Sequence, residues 1–295
     1  MPSTEDEKVE LSTRTLVESM VREDGTIDAG ELYAVAGALG MTDQQVRLCV
    51  RRLADDGQFV QEGRGRRAVL RATDRARHAL DPNVDFVRLM YAQDRGEVPW
   101  DGVWHLVAFA VPESARAARD ALREHIVHLG GAPLQGGLYV AANPWEDLVE
   151  AEVARLGADD CVTYLTSTDL RVAGVTDPVA LAARLWPLDE LAQAHRRLGR
   201  IARDRLERLR APGALDQTRF LTIAIELAGE FTRAMDPDPL LPPELLPQPW
   251  PGAEARELVA QCWREMFQSP PPEPTPRLFR LYSTVIEEVT AHLPG

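Results

Sequence analysis

Between residues 40 and 73 the apolar spacing switches from a helical to a strand period within a few positions, and this switch limits the fold more than any other feature of the chain. Val46, Cys49, Val50 and Leu53 recur at i, i+3, i+4 and i+7, which is one apolar stripe along a helix. Thr42 stands where an N-cap is needed, Asp43 sits at the positive end of the helix dipole, and Gly57 ends the element. Segments 58–61 and 68–72 then read as two short strands around Glu62-Gly-Arg-Gly-Arg-Arg67, a glycine-flanked turn predicted to be flexible. Two shorter helical patterns precede them, over 12–23 (Leu16, Val17, Met20, Val21) and 28–39 (Leu32, Val35, Ala36, Leu39). Helix, helix, recognition helix and wing make a winged helix-turn-helix.

The polar side of the third helix carries the chemistry. Gln44, Arg47 and Arg51 fall on one ridge beside Gln45 and Arg52, and Arg64, Arg66 and Arg67 occupy the turn. Glutamine and arginine suit base edges, and arginine also suits phosphate oxygens. Any amphipathic helix has a charged side, so a solvated surface is the default reading. The charge distribution argues further. Residues 42–78 hold nine arginines against five acids, in a chain whose formal net charge is −13. A basic island on an acidic protein points to an anionic polymer, here double-stranded DNA.

At 295 residues the chain exceeds one comfortable core. It reads as α+β in three domains and a linker: a winged helix-turn-helix over 1–80, a linker helix within 81–99 centred on 84–91, a ferredoxin-like middle domain over 100–175, and a helical domain over 176–295. The middle order is βαββαβ: a strand over 104–111, a helix over 114–129, an extended stretch over 134–142 around Gly136-Gly137, a helix over 145–156, and β-like segments over 161–167 and 170–173. Beyond 177 the pattern is helical, over 188–209, 215–235, 254–267 and 278–293, with 215–235 apolar nearly all round and therefore central. Stretches 236–252 and 269–276 hold seven and five of the 22 prolines and are expected to be stiff, extended connectors. Residues 1–10 are polar and expected to fray. No run of about 18 apolar residues occurs and the first ten residues are acidic, which points to a cytoplasmic protein without a membrane span. Cys49, Cys161 and Cys262 are too scattered for a disulfide framework or a zinc site, and read as small buried residues.

Four stretches carry a resemblance: Trp100-Asp-Gly-Val-Trp-His-Leu-Val-Ala-Phe-Ala-Val-Pro-Glu113, Leu134-Gln-Gly-Gly-Leu-Tyr139, Leu185-Trp-Pro-Leu-Asp189 and Asp238-Pro-Leu-Leu-Pro-Pro-Glu-Leu-Leu-Pro247. Their order and content resemble the PaaX family, transcriptional repressors of aromatic catabolism typified by the phenylacetate regulator. The resemblance covers almost the whole chain and implies the same three-part architecture. It also implies an aryl-CoA thioester as effector, whose ring would want apolar walls; Trp100, Trp104 and Trp186 are the candidates. The middle domain of the family is similar to CRISPR-associated ferredoxin-like nucleases, which place a metal-binding aspartate near the end of the first strand. This chain has Ala110 there, in Phe109-Ala110-Val111-Pro112. It also has Phe59 where relatives tend to carry tryptophan after the recognition helix.

Catalytic readings fare poorly. The glycines at 130, 131, 136 and 137 interrupt a strand instead of opening a helix, so they form turns or a bulge and not a phosphate loop. His125 and His128 share a helical side with no third ligand nearby in sequence, so neither a metal nor another cofactor is expected. An enzyme is therefore not expected; the resemblance implies a repressor that binds operator DNA, expected as a homodimer, and is released by a CoA thioester. A metal-dependent nucleic-acid-processing enzyme is the alternative, and an adaptor with a vestigial winged helix a third reading.

Overall fold

The computed structural model describes residues 12–213, 215–268 and 278–292; of residues 75, 77–84 and 281 it describes the backbone alone. The expectations for 1–10 and 269–276 lie outside the described residues. The chain begins with helix α1 (Thr13–Ser19), strand β1 (Thr26–Asp28), helices α2 (Ala29–Ala38) and α3 (Asp43–Asp55), strands β2 (Phe59–Glu62) and β3 (Val69–Ala72), and helix α4 (Asp74–Asp94). It continues through β4 (Trp104–Phe109), α5 (Arg116–His128), β5 (Ala132–Gln135), β6 (Leu138–Ala141), α6 (Glu146–Leu156) and β7 (Val162–Ser167). Helices α7 (Pro178–Leu185), α8 (Leu188–Arg210), α9 (Gln217–Met235), α10 (Pro251–Gln268) and α11 (Ser283–Ala291) complete it. Capping explains several starts. Ser12, Asp28, Thr42 and Asp177 each accept a backbone N–H from the first turn of the helix that follows.

Contacts divide the chain into two compact units, Met1–Tyr91 with Arg196–Thr232 and Ala253–Gly295, and Ala92–His195 with Arg233–Gly252. In the first, β1, β3 and β2 form an antiparallel sheet in that order, with Thr26 opposite Arg71 and Phe59 opposite Ala72. β1 was not expected: three residues are too few to show a period, and its pairing with β3 is what makes it a strand. Leu16, Val17, Ile27, Leu32, Val46, Leu53, Phe59 and Leu70 are buried beneath this sheet and its helices. Phe59 thus fills a core position despite not being tryptophan. Elsewhere in the unit Gly199 brings α8 close to Ala255 of α10, and the central part of α9, Leu221 to Glu230, is buried or half-buried throughout, as its composition predicts.

In the second unit β5, β6, β4 and β7 form an antiparallel sheet in that order. The outer–inner–inner–outer arrangement of two interleaved βαβ units is that of a ferredoxin-like fold. α5 and α6 pack together on one side of it, where Leu122, Ile126, Val149 and Val153 are buried. The opposite side, with Trp104, Leu106, Val140 and Ala142, joins one core with Leu181, Trp186, Leu191, Leu241, Leu245 and Leu246. The proline-rich stretch 236–252 is therefore a strap built into a core and not a bare connector. Leu240 sits in the strap at φ +50; its carbonyl accepts from Gln93 and Asn143 side chains at 3.2 and 2.7 Å, and its N–H donates to Asp238. Asp238 also meets the buried His195 at 2.6 Å. Such a fully bonded backbone position holds a conformation that leucine otherwise avoids.

Three further expectations are corrected. Segment 170–173 is not a strand: Val172 and Val175 form an isolated bridge. The helix placed at 84–91 extends from Asp74 to Asp94, because Asp74 opens it directly after β3. The extended stretch 134–142 is a hairpin, with Gly136 and Gly137 at φ 51 and 90 in its two-residue turn and a bulge between Pro133 and Gln135.

Candidate nucleic-acid interface

α3 is seated by its apolar stripe. Val46, Val50 and Leu53 are 0, 8 and 3% exposed against α1, α2 and β2. Cys49 is half-buried beside them, and burial raises its thiol pKa, so it is a packing residue and a poor nucleophile. Thr42 and Gln45 form a reciprocal capping box: the Gln45 N–H donates to the Thr42 hydroxyl at 3.2 Å, and the Gln45 amide oxygen accepts the Thr42 N–H at 2.8 Å. Gln45 is exposed, but its side-chain oxygen is spent on the helix end. Gln44, Arg47, Arg51 and Arg52 are all exposed. Arg51 stands 3.7 Å from Asp55 one turn on, a solvent-exposed approach that holds it weakly.

The turn between β2 and β3 is less free than its glycines suggest. Residues 65–67 make a single 3-10 turn that packs on α2, the Ala29 N–H donates to the Ala68 carbonyl at 3.0 Å, and a side chain at Gly30 would come within 2.9 Å of the Arg66 carbonyl. Gly30 is thus the residue that lets the turn dock. Arg66 reaches Asp43 at the start of α3 at 3.5 Å and lies 5.8 Å over the Tyr33 ring. The expectation of a flexible wing is corrected accordingly: backbone contacts with α2 and a cation on an aromatic ring fix its tip. Arg64, Arg66 and Arg67 are nonetheless exposed. Among the described residues Arg47, Arg52, Arg64 and Arg67 make no ion pair.

This surface therefore brings together the glutamines and arginines singled out from the sequence. It adds three participants that sequence reasoning missed. Tyr33 and Asp43 position Arg66, and Leu48 stands exposed among the polar residues. The i, i+4 spacing of Leu48 from Gln44 was visible, but an apolar residue off the stripe carries no periodic signal.

The tryptophans come together in a different way. Trp104 stacks on Trp186 with ring centroids 6.3 Å apart and meets Trp100 edge-on at 5.2 Å. Trp104 and Trp186 are 2 and 7% exposed, and the Trp186 indole N–H donates to the Gly130 carbonyl at 2.9 Å. They fill the core between sheet and strap, with half-buried Trp100 at the margin. Ala110 directly follows β4 with its N–H donating to the Cys161 carbonyl, and it presents an exposed methyl group where a carboxylate would be needed for metal. The Glu146 carboxyl is pushed up by burial, but hydrogen bonds from His105 and from the backbone N–H groups of Glu146 and Trp145 outweigh this and hold it below its usual range. It caps α6. Among the described residues no cluster of three His, Cys, Asp or Glu side chains could hold a metal ion, and no helix is long and apolar enough to cross a membrane.

Three family models match in succession: PaaX-like protein over residues 13–76, PaaX protein central Cas2-like domain over 97–181, and PaaX-like protein C-terminal domain over 186–270. The transcriptional repressor PaaX of Escherichia coli (strain K12) is 26% identical over 261 residues, covering 84% of this chain and 77% of that protein. Among solved structures, the uncharacterized protein Rv0674 from Mycobacterium tuberculosis is 24% identical with a TM-score of 0.49, over 88% of this chain and 99% of that one. With the three models following one another across most of its length, in the order that its two sheets and its helices require, the chain belongs to the PaaX family.

Proposed function

We propose that this chain is a DNA-binding transcriptional repressor whose residues 13–76 act as a winged helix-turn-helix, with α3 in the major groove and the β2–β3 turn along the phosphate backbone. The observation that carries the reading is a set of exposed arginines that make no ion pair among the described residues: Arg47 and Arg52 on a helix that is otherwise seated and capped, and Arg64 and Arg67 in the β2–β3 turn. Exposed guanidinium groups on an acidic chain suit phosphate and guanine. The name of the E. coli relative, a transcriptional repressor, supports the same reading. Ala110 and its exposed methyl group argue against the nuclease alternative, because two-metal phosphodiester chemistry lacks a ligand there.

Family membership extends the proposal to control of phenylacetate or related aromatic catabolism, with a homodimer on a pseudo-palindromic operator and release by an aryl-CoA thioester. Of the three tryptophans, Trp100 is the one whose surface a ring could reach. The test is titration of the protein with its own upstream DNA at several salt concentrations, with and without phenylacetyl-CoA. Salt-sensitive binding that the thioester weakens is expected. Binding of one chain per site would remove the dimer from the proposal, indifference to the thioester would remove the effector, and failure to bind DNA would overturn the whole.

A further inference from the structure

Leu48 is the exposed apolar side chain of α3, at 47% exposure, while the apolar residues of its seat are nearly inaccessible. At about 100° per residue, Gln44, Leu48, Arg51 and Asp55 fall within about 60° of one another, opposite Val46 and Leu53. Leu48 thus stands in the middle of the outward side, with Gln44 one turn before it and Arg51 and Arg52 one turn after. Helix propensity does not explain it, since arginine, glutamine or glutamate would serve the helix as well. Packing does not explain it either, because it lies outside the buried core of its unit.

Resting on the DNA-binding reading above, we propose that Leu48 is a specificity residue that reads the 5-methyl group of a thymine. Thymine presents the one methyl group among the four bases in the major groove, and an apolar side chain is what recognises it. The flanking residues support the assignment: Gln44 can bond an adenine edge and Arg51 a guanine edge, so a leucine between them completes a set that distinguishes all but cytosine. Each half-site then contains a thymine next to the base pair read by Gln44.

The full-length protein first selects duplexes from a randomised library. Each thymine of the selected duplex is then replaced by deoxyuridine, which keeps every hydrogen-bonding group and lacks the methyl. One position per half-site is expected to lose about fourfold in affinity, the amount that burial of one methyl group gives. Leu48→Ala is expected to bind the thymine duplex more weakly and to lose that discrimination. The variant keeps its fold, because the site is on the surface and alanine favours helix, and circular dichroism checks this. If no deoxyuridine position matters, or if Leu48→Ala discriminates as the parent does, while Arg51→Ala still impairs binding, the inference falls and the DNA-binding reading stands. If no sequence is enriched, both fall.

Discussion

Two helices of this protein are rich in arginine, and they spend the charge differently. On α8 four guanidinium groups are taken up by carboxylates of the fold, two buried or half-buried and two at the surface: Arg197 meets Glu230 at 2.7 Å, Arg205 meets Glu226 at 2.7 Å, Arg203 meets Glu254, and Arg210 meets Glu265 at 2.7 Å. Arg205 and Glu230 are almost wholly buried in doing so. On α3, Arg47 and Arg52 have no ion-pair partner among the described residues, and Arg51 has a distant, exposed one. Composition alone would rank α8 as the more basic element. Charge count therefore does not locate an anion-binding surface; what matters is the charge left over after the fold has used what it needs.

Substitutions on the two helices should separate a charge that holds the fold from one that faces outward. The largest effect is expected at Arg205: Arg205→Ala strands the nearly buried Glu226 without its guanidinium, while Asp204 keeps Arg208, and should lower unfolding free energy by about 3–5 kcal/mol in a urea titration while leaving the DNA affinity of the folded fraction unchanged. A loss near zero would show that α8 does not depend on its pairs. Next, Arg51→Ala should cost about 1–3 kcal/mol on an operator duplex and far less on a scrambled one. Its unfolding midpoint should hardly move, as for other exposed surface changes. Equal losses on both duplexes would mean that α3 is not the reader. Arg66→Ala should weaken both duplexes alike and reduce the salt slope by about one ion. Because Arg66 also touches Asp43, Asp43→Asn should have the opposite sign and strengthen binding slightly. Smallest is the acid response. Glu152 is held below its ordinary value of 4.5, first by its hydrogen bond from Arg155, and burial opposes this. Its folded value being the lower one, its contribution is complete above about 4.5 and is lost as pH falls through the folded value. Glu152→Gln should therefore flatten the stability profile on the acid side, which a series of urea titrations from neutral to acid pH would check.

Much of this was legible in advance where side-chain period reports burial. The stripe of α3, the βαββαβ order and the buried middle of α9 all follow from it. What was not legible depends on partners distant in sequence or on single atoms. Strand β1 exists through its pairing with β3. The strap reads as a proline connector until Leu241, Leu245 and Leu246 are seen against Trp104 and Val140. Gln45 belongs by its residue type to a base-reading set, yet its oxygen is committed to Thr42, and only the capping geometry distinguishes it from Gln44. Trp100, Trp104 and Trp186 stand far apart along the chain in part, and nothing in their spacing separates an aromatic wall from a core.

The strap has a consequence for synthesis of the chain. The sheet of the second unit is complete at Ser167, but Leu245 and Leu246, which cover it beside Trp104 and Leu106, leave the ribosome roughly 80 residues later. At about 5–20 residues per second that interval is on the order of 4–16 s. During it a greasy surface around Trp104 has only the part of its lid that Leu181, Trp186 and Leu191 supply, and a nascent chain stalled or cut before residue 240 would carry that surface half-covered into contact with chaperones and proteases.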